Sequence, residues 1–143
     1  MKSNFTSGAF IVDAVEQGLS EVAFHSNYLG VERTLFLSTQ LDSRSPMHVA
    51  VHRFNGSGKC NEGEFPYSKL HFHSNLEVDI VIPSSDDFEF EVQTGEDLFV
   101  IKRSCTVVIP PGVIHRMCVL KGKGMMVCTV LGPEYSALAC HND

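Results

Sequence analysis

The stretch Leu70-His-Phe-His-Ser-Asn-Leu-Glu77 is the part of this sequence that decides the fold. Successive side chains of a β-strand point to opposite faces, so His71 and His73 share one face of the predicted strand. Residues two apart lie about 7 Å apart along a strand, and two imidazoles at that spacing can converge on one metal ion, each with a nitrogen about 2.1 Å from it. Ser74-Asn75 is predicted to turn the chain so that Glu77 approaches the same point.

A second stretch, Val107-Val-Ile-Pro-Pro-Gly-Val-Ile-His115, adds a further candidate ligand. It predicts a buried strand, then a corner in which Gly112 supplies the turn geometry and the two prolines stiffen the backbone. His115 would therefore start the next strand at a defined position. Three histidines and one carboxylate suit Mn, Fe(II), Co, Ni or Zn, and these ligand types do not select among the five metals.

Both stretches resemble the two motifs of the cupin superfamily. The first motif is His-x-His, three or four residues, Glu, six residues and Gly, and this sequence has Ser84 at the glycine position. The second is Gly, five residues, Pro-x-Gly-x-x-His, three residues and Asn, with Ser104 and Val119 at the first and last positions. The resemblance covers about residues 60 to 131. It implies a double-stranded β-helix, or jelly roll, with one metal at His71, His73, Glu77 and His115, and a homodimer paired through an edge strand.

The rest of the chain is typical of an all-β protein with little helix. Short apolar-polar alternations separated by turn residues recur at spacings of about ten residues, which is characteristic of sandwiches and barrels. The predicted strands are Arg33–Thr39, Met47–Arg53, Ser68–His73, Glu77–Ile82, Phe88–Gln93, Leu98–Ile101, Thr106–Ile109, Arg116–Leu120 and Met125–Leu131. Residues 8 to 18 are predicted as a short amphipathic helix, and Lys121-Gly-Lys-Gly124 as a tight hairpin. We expect one domain over residues 1–143, with a barrel at about 33–131 and terminal extensions packed on it.

Composition excludes several classes of function. The chain has 143 residues, of which 43% are hydrophobic and 20% charged, and a net charge of −6. No Lys/Arg cluster is present to bind a phosphate backbone, so nucleic-acid binding is not expected. No apolar run is long enough for a membrane helix, and the N-terminus lacks the features of a signal peptide. A cytoplasmic location is therefore expected.

Four more residues are candidates near the metal. Tyr67 and Lys69 share face parity with the two strand histidines, and a pocket lysine would suit an anionic substrate, although a rim lysine reaching water fits the same parity. His52 is a candidate for proton transfer if its strand lines the barrel, and otherwise a structural histidine. Asp79 shares parity with Glu77, and is predicted either to hydrogen-bond a ligand imidazole or to replace Glu77 as ligand.

Three functions of different classes follow, because one fold hosts many chemistries. The first, narrowly preferred, is a metal-dependent oxygenase or dioxygenase acting on a small organic acid, diketone or thiol. The second is a non-redox isomerase, cyclase, lyase or decarboxylase in which the metal is a Lewis acid and His52, Tyr67 or Lys69 moves protons. The third is a sensor that binds a small ligand without turnover.

Overall fold

The computed structural model describes residues 8–133 and 135–139. Eleven strands and one 3-10 turn, Leu19–Glu21, make up the regular structure of these residues, and none of them forms an α-helix. The strands are β1 (Val15–Glu16), β2 (Val31–Leu37), β3 (His48–Asn55), β4 (His71–His73), β5 (Glu77–Pro83), β6 (Glu89–Thr94), β7 (Asp97–Ile101), β8 (Cys105–Ile109), β9 (His115–Lys121), β10 (Lys123–Val130) and β11 (Ala137–Ala139). The prediction of an all-β fold with little helix is confirmed. No helix in these residues is long and apolar enough to span a bilayer.

The strands form two antiparallel sheets. One has the order β1-β2-β3-β10-β5-β8, and the other has the order β11-β4-β9-β6-β7. In the central strands β5 and β10, alternate residues face the space between the sheets and are buried there. Val81, Phe90, Val92, Val119 and Val130 are among the side chains that fill this core.

The ligand candidates come from both sheets. β4 and β9 are neighbours in the five-stranded sheet, where His71 is the cross-strand partner of His115. Glu77 begins β5 of the facing sheet. Gly112, at a φ of 80°, occupies the left-handed region that glycine adopts without strain. Its N–H donates to the carbonyl of His73 at 2.8 Å, which ties the Pro-Pro-Gly corner to β4.

Two local predictions are wrong. Residues 8–18 are not helical: Val15 pairs with Leu35 of β2, and Ile11 is 79% exposed, because no helical stripe of apolar residues is available to bury. Lys121-Gly-Lys-Gly124 is not a hairpin, since β9 and β10 belong to different sheets. The chain crosses between the sheets at Gly122, where φ is 83° and a Cβ would lie 2.6 Å from the Cα of Phe88.

Candidate metal centre

Three buried histidines meet at one point between the sheets. The ligating nitrogens of His71, His73 and His115 lie within 4.8 Å of one another. All three side chains are buried, and the rings of His71 and His115 have centroids 4.4 Å apart. The strand alternation that was predicted for residues 71–73 explains why both histidines of β4 face inward while Phe72 does not.

Backbone carbonyls fix the tautomer of each ring. The Nδ1 of His71 contacts the carbonyl of Lys69 at 2.7 Å, and those of His73 and His115 contact the carbonyls of Ser136 and Val113 at 3.0 Å. Because a carbonyl oxygen only accepts, each Nδ1 must carry the proton. Each Nε2 therefore presents a lone pair to the shared point, the arrangement found around metal-ligating histidines.

Glu77 brings a carboxylate to the same point from the facing sheet. Its Oε2 lies 2.9 Å from Nε2 of His73 and 3.1 Å from Nε2 of His115, yet no hydrogen bond of acceptable geometry joins these three buried atoms. Two ligands bound at right angles, each about 2.1 Å from a metal, are about 3.0 Å apart. The orphaned atoms thus have the spacing of adjacent ligands, and the donor set fits a divalent transition metal.

The electrostatics of the cluster favour a cation. Burial, together with neighbouring His115, lowers the pKa of His71 to about 3. Burial would raise the pKa of Glu77, but contacts with His115 and His73 bring it well below its usual value. Burial alone would lower the pKa of His115. The Glu77 carboxylate has the opposite and larger effect, so the pKa of this ring is raised above its usual value. A negative carboxylate is therefore held among the imidazoles.

Asp79 lies behind Glu77 rather than beside an imidazole. Its oxygens are within 4.8 Å of the ligand atoms of Glu77 and Cys128, and the side chain is fully buried. The predicted hydrogen bond from Asp79 to a ligand imidazole is wrong, because the Nδ1 atoms contact backbone carbonyls. The pKa of Asp79 is raised well above its usual value, mainly by burial and next by the negative charge of Glu77. Asp79 is thus a neutral carboxyl next to a ligand carboxylate.

A narrow cavity of about 20 Å³ adjoins the ligands, enough for one ion or water molecule. His52, Tyr67 and Met117 line it together with His71, Glu77 and His115. The Nδ1 of His52 and the hydroxyl of Tyr67 are buried and have no hydrogen-bond partner among the described residues. Burial lowers the pKa of His52 well below its usual value, so this ring is neutral. Both side chains line the cavity, and their roles in proton transfer stay predictions.

The pocket prediction for Lys69 is wrong. Its side chain is exposed and is not part of the cavity lining. The parity argument required one regular strand from Tyr67 to His73, but β4 begins at His71 and a bend at Leu70 precedes it. Lys69 instead contributes its backbone, whose N–H donates to the carbonyl of Phe24 at 2.8 Å and whose carbonyl holds His71.

Several further residues of the cavity wall were missed from the sequence, among them His25, Arg33 and Tyr135. The inward orientation of Arg33 could have been predicted, because it lies two residues before Leu35, a core residue on the same face of β2. His25 and Tyr135 lie outside named strands, so no periodicity pointed to them.

Comparisons with known proteins identify the fold. No family model matches this chain, and a search of curated proteins finds no match either. Among solved structures, KdgF from Halomonas sp. aligns with a TM-score of 0.52 and 14% identity over 80% of this chain and 91% of that one. A cupin 2 conserved barrel domain protein from Rhodopseudomonas palustris gives 0.58 and 16% identity, over 91% and 78%. An oxalate decarboxylase gives 0.58 and 12% identity, over 92% and 33%. The chain has the cupin fold, as the two motifs predicted.

Proposed function

We propose that this protein is an enzyme that holds one divalent transition metal through His71, His73, Glu77 and His115 and acts on a small organic molecule. The observation that carries the proposal is a buried cluster in which three histidine nitrogens lie within 4.8 Å of one another. A carboxylate oxygen of Glu77 lies at the spacing of adjacent ligands from the Nε2 atoms of His73 and His115. A buried group of this kind without a cation would leave its polar atoms unpaired, which costs several kcal/mol.

Two features of the surroundings support catalysis over passive binding. His52 and Tyr67 offer a neutral imidazole and a hydroxyl buried beside the candidate ligands. The Nδ1 of His52 and the hydroxyl of Tyr67 have no hydrogen-bond partner within residues 8–133 and 135–139. Uncommitted polar groups at a metal cavity are suited to bind a substrate and to move its protons. The small cavity volume limits access of bulk water to the candidate ligands.

The first candidate reaction is an oxygenation. Four protein ligands leave open positions on an octahedral ion, and a bound ion supplies a Lewis acid and, if it is iron, electrons for chemistry with O₂. In this reaction His52 and Tyr67 would orient the substrate and hold its proton. The oxalate decarboxylase among the structural neighbours carries its own named activity on the same fold, at an identity that shows the fold alone.

A non-redox reaction is the second candidate, and the pair His52 and Tyr67 favours it specifically. A neutral imidazole that takes a proton and a hydroxyl that donates one are the two groups that an isomerase, lyase or decarboxylase needs around a Lewis acid. Lys69, the third predicted proton carrier, has no part in this because its side chain is exposed.

One experiment separates the two reactions. Protein loaded with Fe(II) and protein loaded with Zn(II) are each incubated with a panel of short 2-hydroxy acids, 2-oxo acids, diketones and thiols. Oxygenation predicts substrate-dependent O₂ consumption by the iron form and no turnover under argon. Lewis-acid chemistry predicts equal product from the zinc form with or without O₂. Thermal stabilisation by one compound with no product from either form would contradict an enzyme and favour the sensor.

A further inference from the structure

Arg33 is a buried cation on the wall of the metal cavity. It lies on β2 opposite His52 of β3 and is 5% exposed. One guanidinium nitrogen donates to Oε1 of Gln17, and the other terminal nitrogen contacts Nε2 of His48 at 2.9 Å. A guanidinium has five N–H donors, so these two contacts leave donors available for another acceptor.

No carboxylate of the described residues lies within ion-pair distance of this guanidinium, although Glu77 lines the same cavity. The ion pairs found between these residues do not include Arg33, although Glu21 lines the same outer cleft. Its two partners are neutral. Gln17 is an amide, and the pKa of His48 is lowered to about 4, mainly by burial and next by the positive charge of Arg33. A buried charge without a direct ion-pair partner is costly, so Arg33 would be stabilised by an anion that comes from outside the chain.

Arg33 lies between the cavity at the candidate ligands and the protein surface. Arg33, Val22 and Tyr135 line both the metal cavity and an outer cleft of about 350 Å³. A molecule in the outer cleft can therefore contact residues that also border the cavity beside the candidate ligands. Planar guanidinium N–H groups match a carboxylate in a bidentate way.

We propose that Arg33 binds the carboxylate of a short carboxylic acid whose reacting end faces the metal. This assignment rests on the proposed function, and it names the substrate class of that site. His52 Nδ1 and the Tyr67 hydroxyl, which have no hydrogen-bond partner among the described residues, then face the uncharged part of the same molecule. The outer cleft of about 350 Å³ has room for the body of such an acid, since the 20 Å³ cavity beside the ligands holds little more than one ion.

The test compares glycolate with glycolamide, which has the same size and no charge, by calorimetric titration of the zinc-loaded protein. Arg33→Met removes the cation, and Gln17→Glu keeps Arg33 but gives it an internal carboxylate partner. Both variants should bind glycolate about 10- to 100-fold more weakly, because a charge-assisted hydrogen bond is lost. Their glycolamide binding and their zinc content should be unchanged. Arg33→Lys should keep part of the affinity and serves if Arg33→Met does not fold.

The proposal is overturned if wild-type protein does not bind glycolate, or if both variants bind glycolate as tightly as wild type does. It is also overturned if the variants lose glycolamide affinity as much as glycolate affinity, because an equal loss would indicate a structural role for Arg33. Failure of the proposed function is distinguishable, because wild-type protein would then retain no zinc. In that case the same titration on metal-free protein still tests the role of Arg33. A loss of glycolate affinity without a loss of glycolamide affinity in Arg33→Met supports the anion site, and an equal loss or no loss overturns it.

Discussion

At the residue scale, the centre depends on which nitrogen of each histidine is free. Motif spacing predicted His71, His73 and His115, but it contained no information on the carbonyls of Lys69, Val113 and Ser136 that fix their tautomers. Those partners follow from the path of the backbone around the site. Ser136 in particular reaches His73 from a distant part of the sequence, which local pattern cannot foresee.

We predict that Asp79 positions Glu77. Asp79→Ala should weaken metal affinity about 10- to 100-fold, the usual effect of losing a group that supports a ligand, because the Glu77 carboxylate loses its buried neighbour. Asp79→Asn keeps the shape and is neutral like the native carboxyl, so it should bind metal nearly as well as wild type. Competition with a chelator measures both affinities. Equal affinity in wild type and Asp79→Ala would contradict the role.

The stability of the metal-free protein should fall as the pH drops below about 6.5. The folded state holds His48 neutral down to a pKa of about 4, whereas the unfolded chain protonates this ring near its ordinary value of 6.5. Between these values the unfolded state binds the extra proton, so His48 alone contributes a slope of up to about 1.4 kcal/mol per pH unit. Urea unfolding at pH 5 to 7 should show a shallower slope in His48→Gln, which retains an acceptor for Arg33. Identical slopes would refute the assignment.

At the element scale, all nine strands that the sequence predicted occur, with ends displaced by a few residues. Local alternation and turn residues are enough to locate a strand. They do not identify its partner: β9 and β10 follow each other in sequence but lie in different sheets. β1 and β11 were missed because each is very short and depends on a distant partner, β2 and β4 respectively.

The Pro-Pro-Gly corner should matter for metal binding as well as for stability. Gly112→Ala places a side chain at a φ of 80°, which costs about 1–2 kcal/mol, and it strains the corner that leads into His115. Gly63→Ala is the matched control: φ is 81°, and a Cβ at either glycine meets nothing within 4 Å. Both variants should lose similar free energy of unfolding by urea titration, while only Gly112→Ala weakens zinc binding. Equal zinc affinities would show that the corner does not position His115.

At the scale of the whole molecule, the candidate ligands join the two sheets. His71, His73 and His115 belong to one sheet and Glu77 to the other, so a bound ion would cross-link the faces of the fold. The jelly roll itself was predictable because its two motifs each lie on short continuous segments. The cavity wall was not, since Arg33 and Tyr135 come from segments that only the closed fold brings together. The homodimer stays a prediction, for light scattering to test.

Metal binding should therefore stabilise both sheets together. A ligand that binds only the folded state adds about 2.7 kcal/mol at a concentration one hundred times its Kd. Hydrogen exchange with and without zinc should show slower exchange in β5 as well as in β4 and β9. Glu77→Gln, in which the ligand from the facing sheet is weakened, should lose the effect in β5 first. Protection confined to β4 and β9 in the wild type would contradict a cross-link.

The most direct test of the central claim is the metal content of purified, metal-loaded protein by elemental analysis. We predict about one divalent transition metal ion per wild-type chain, and loss of that ion in His73→Ala and in His115→Ala, because each variant removes one of four ligands. Circular dichroism confirms that the variants keep their strands. Retention of a full metal complement by both variants, or none in the wild type under any loading condition, would contradict the account.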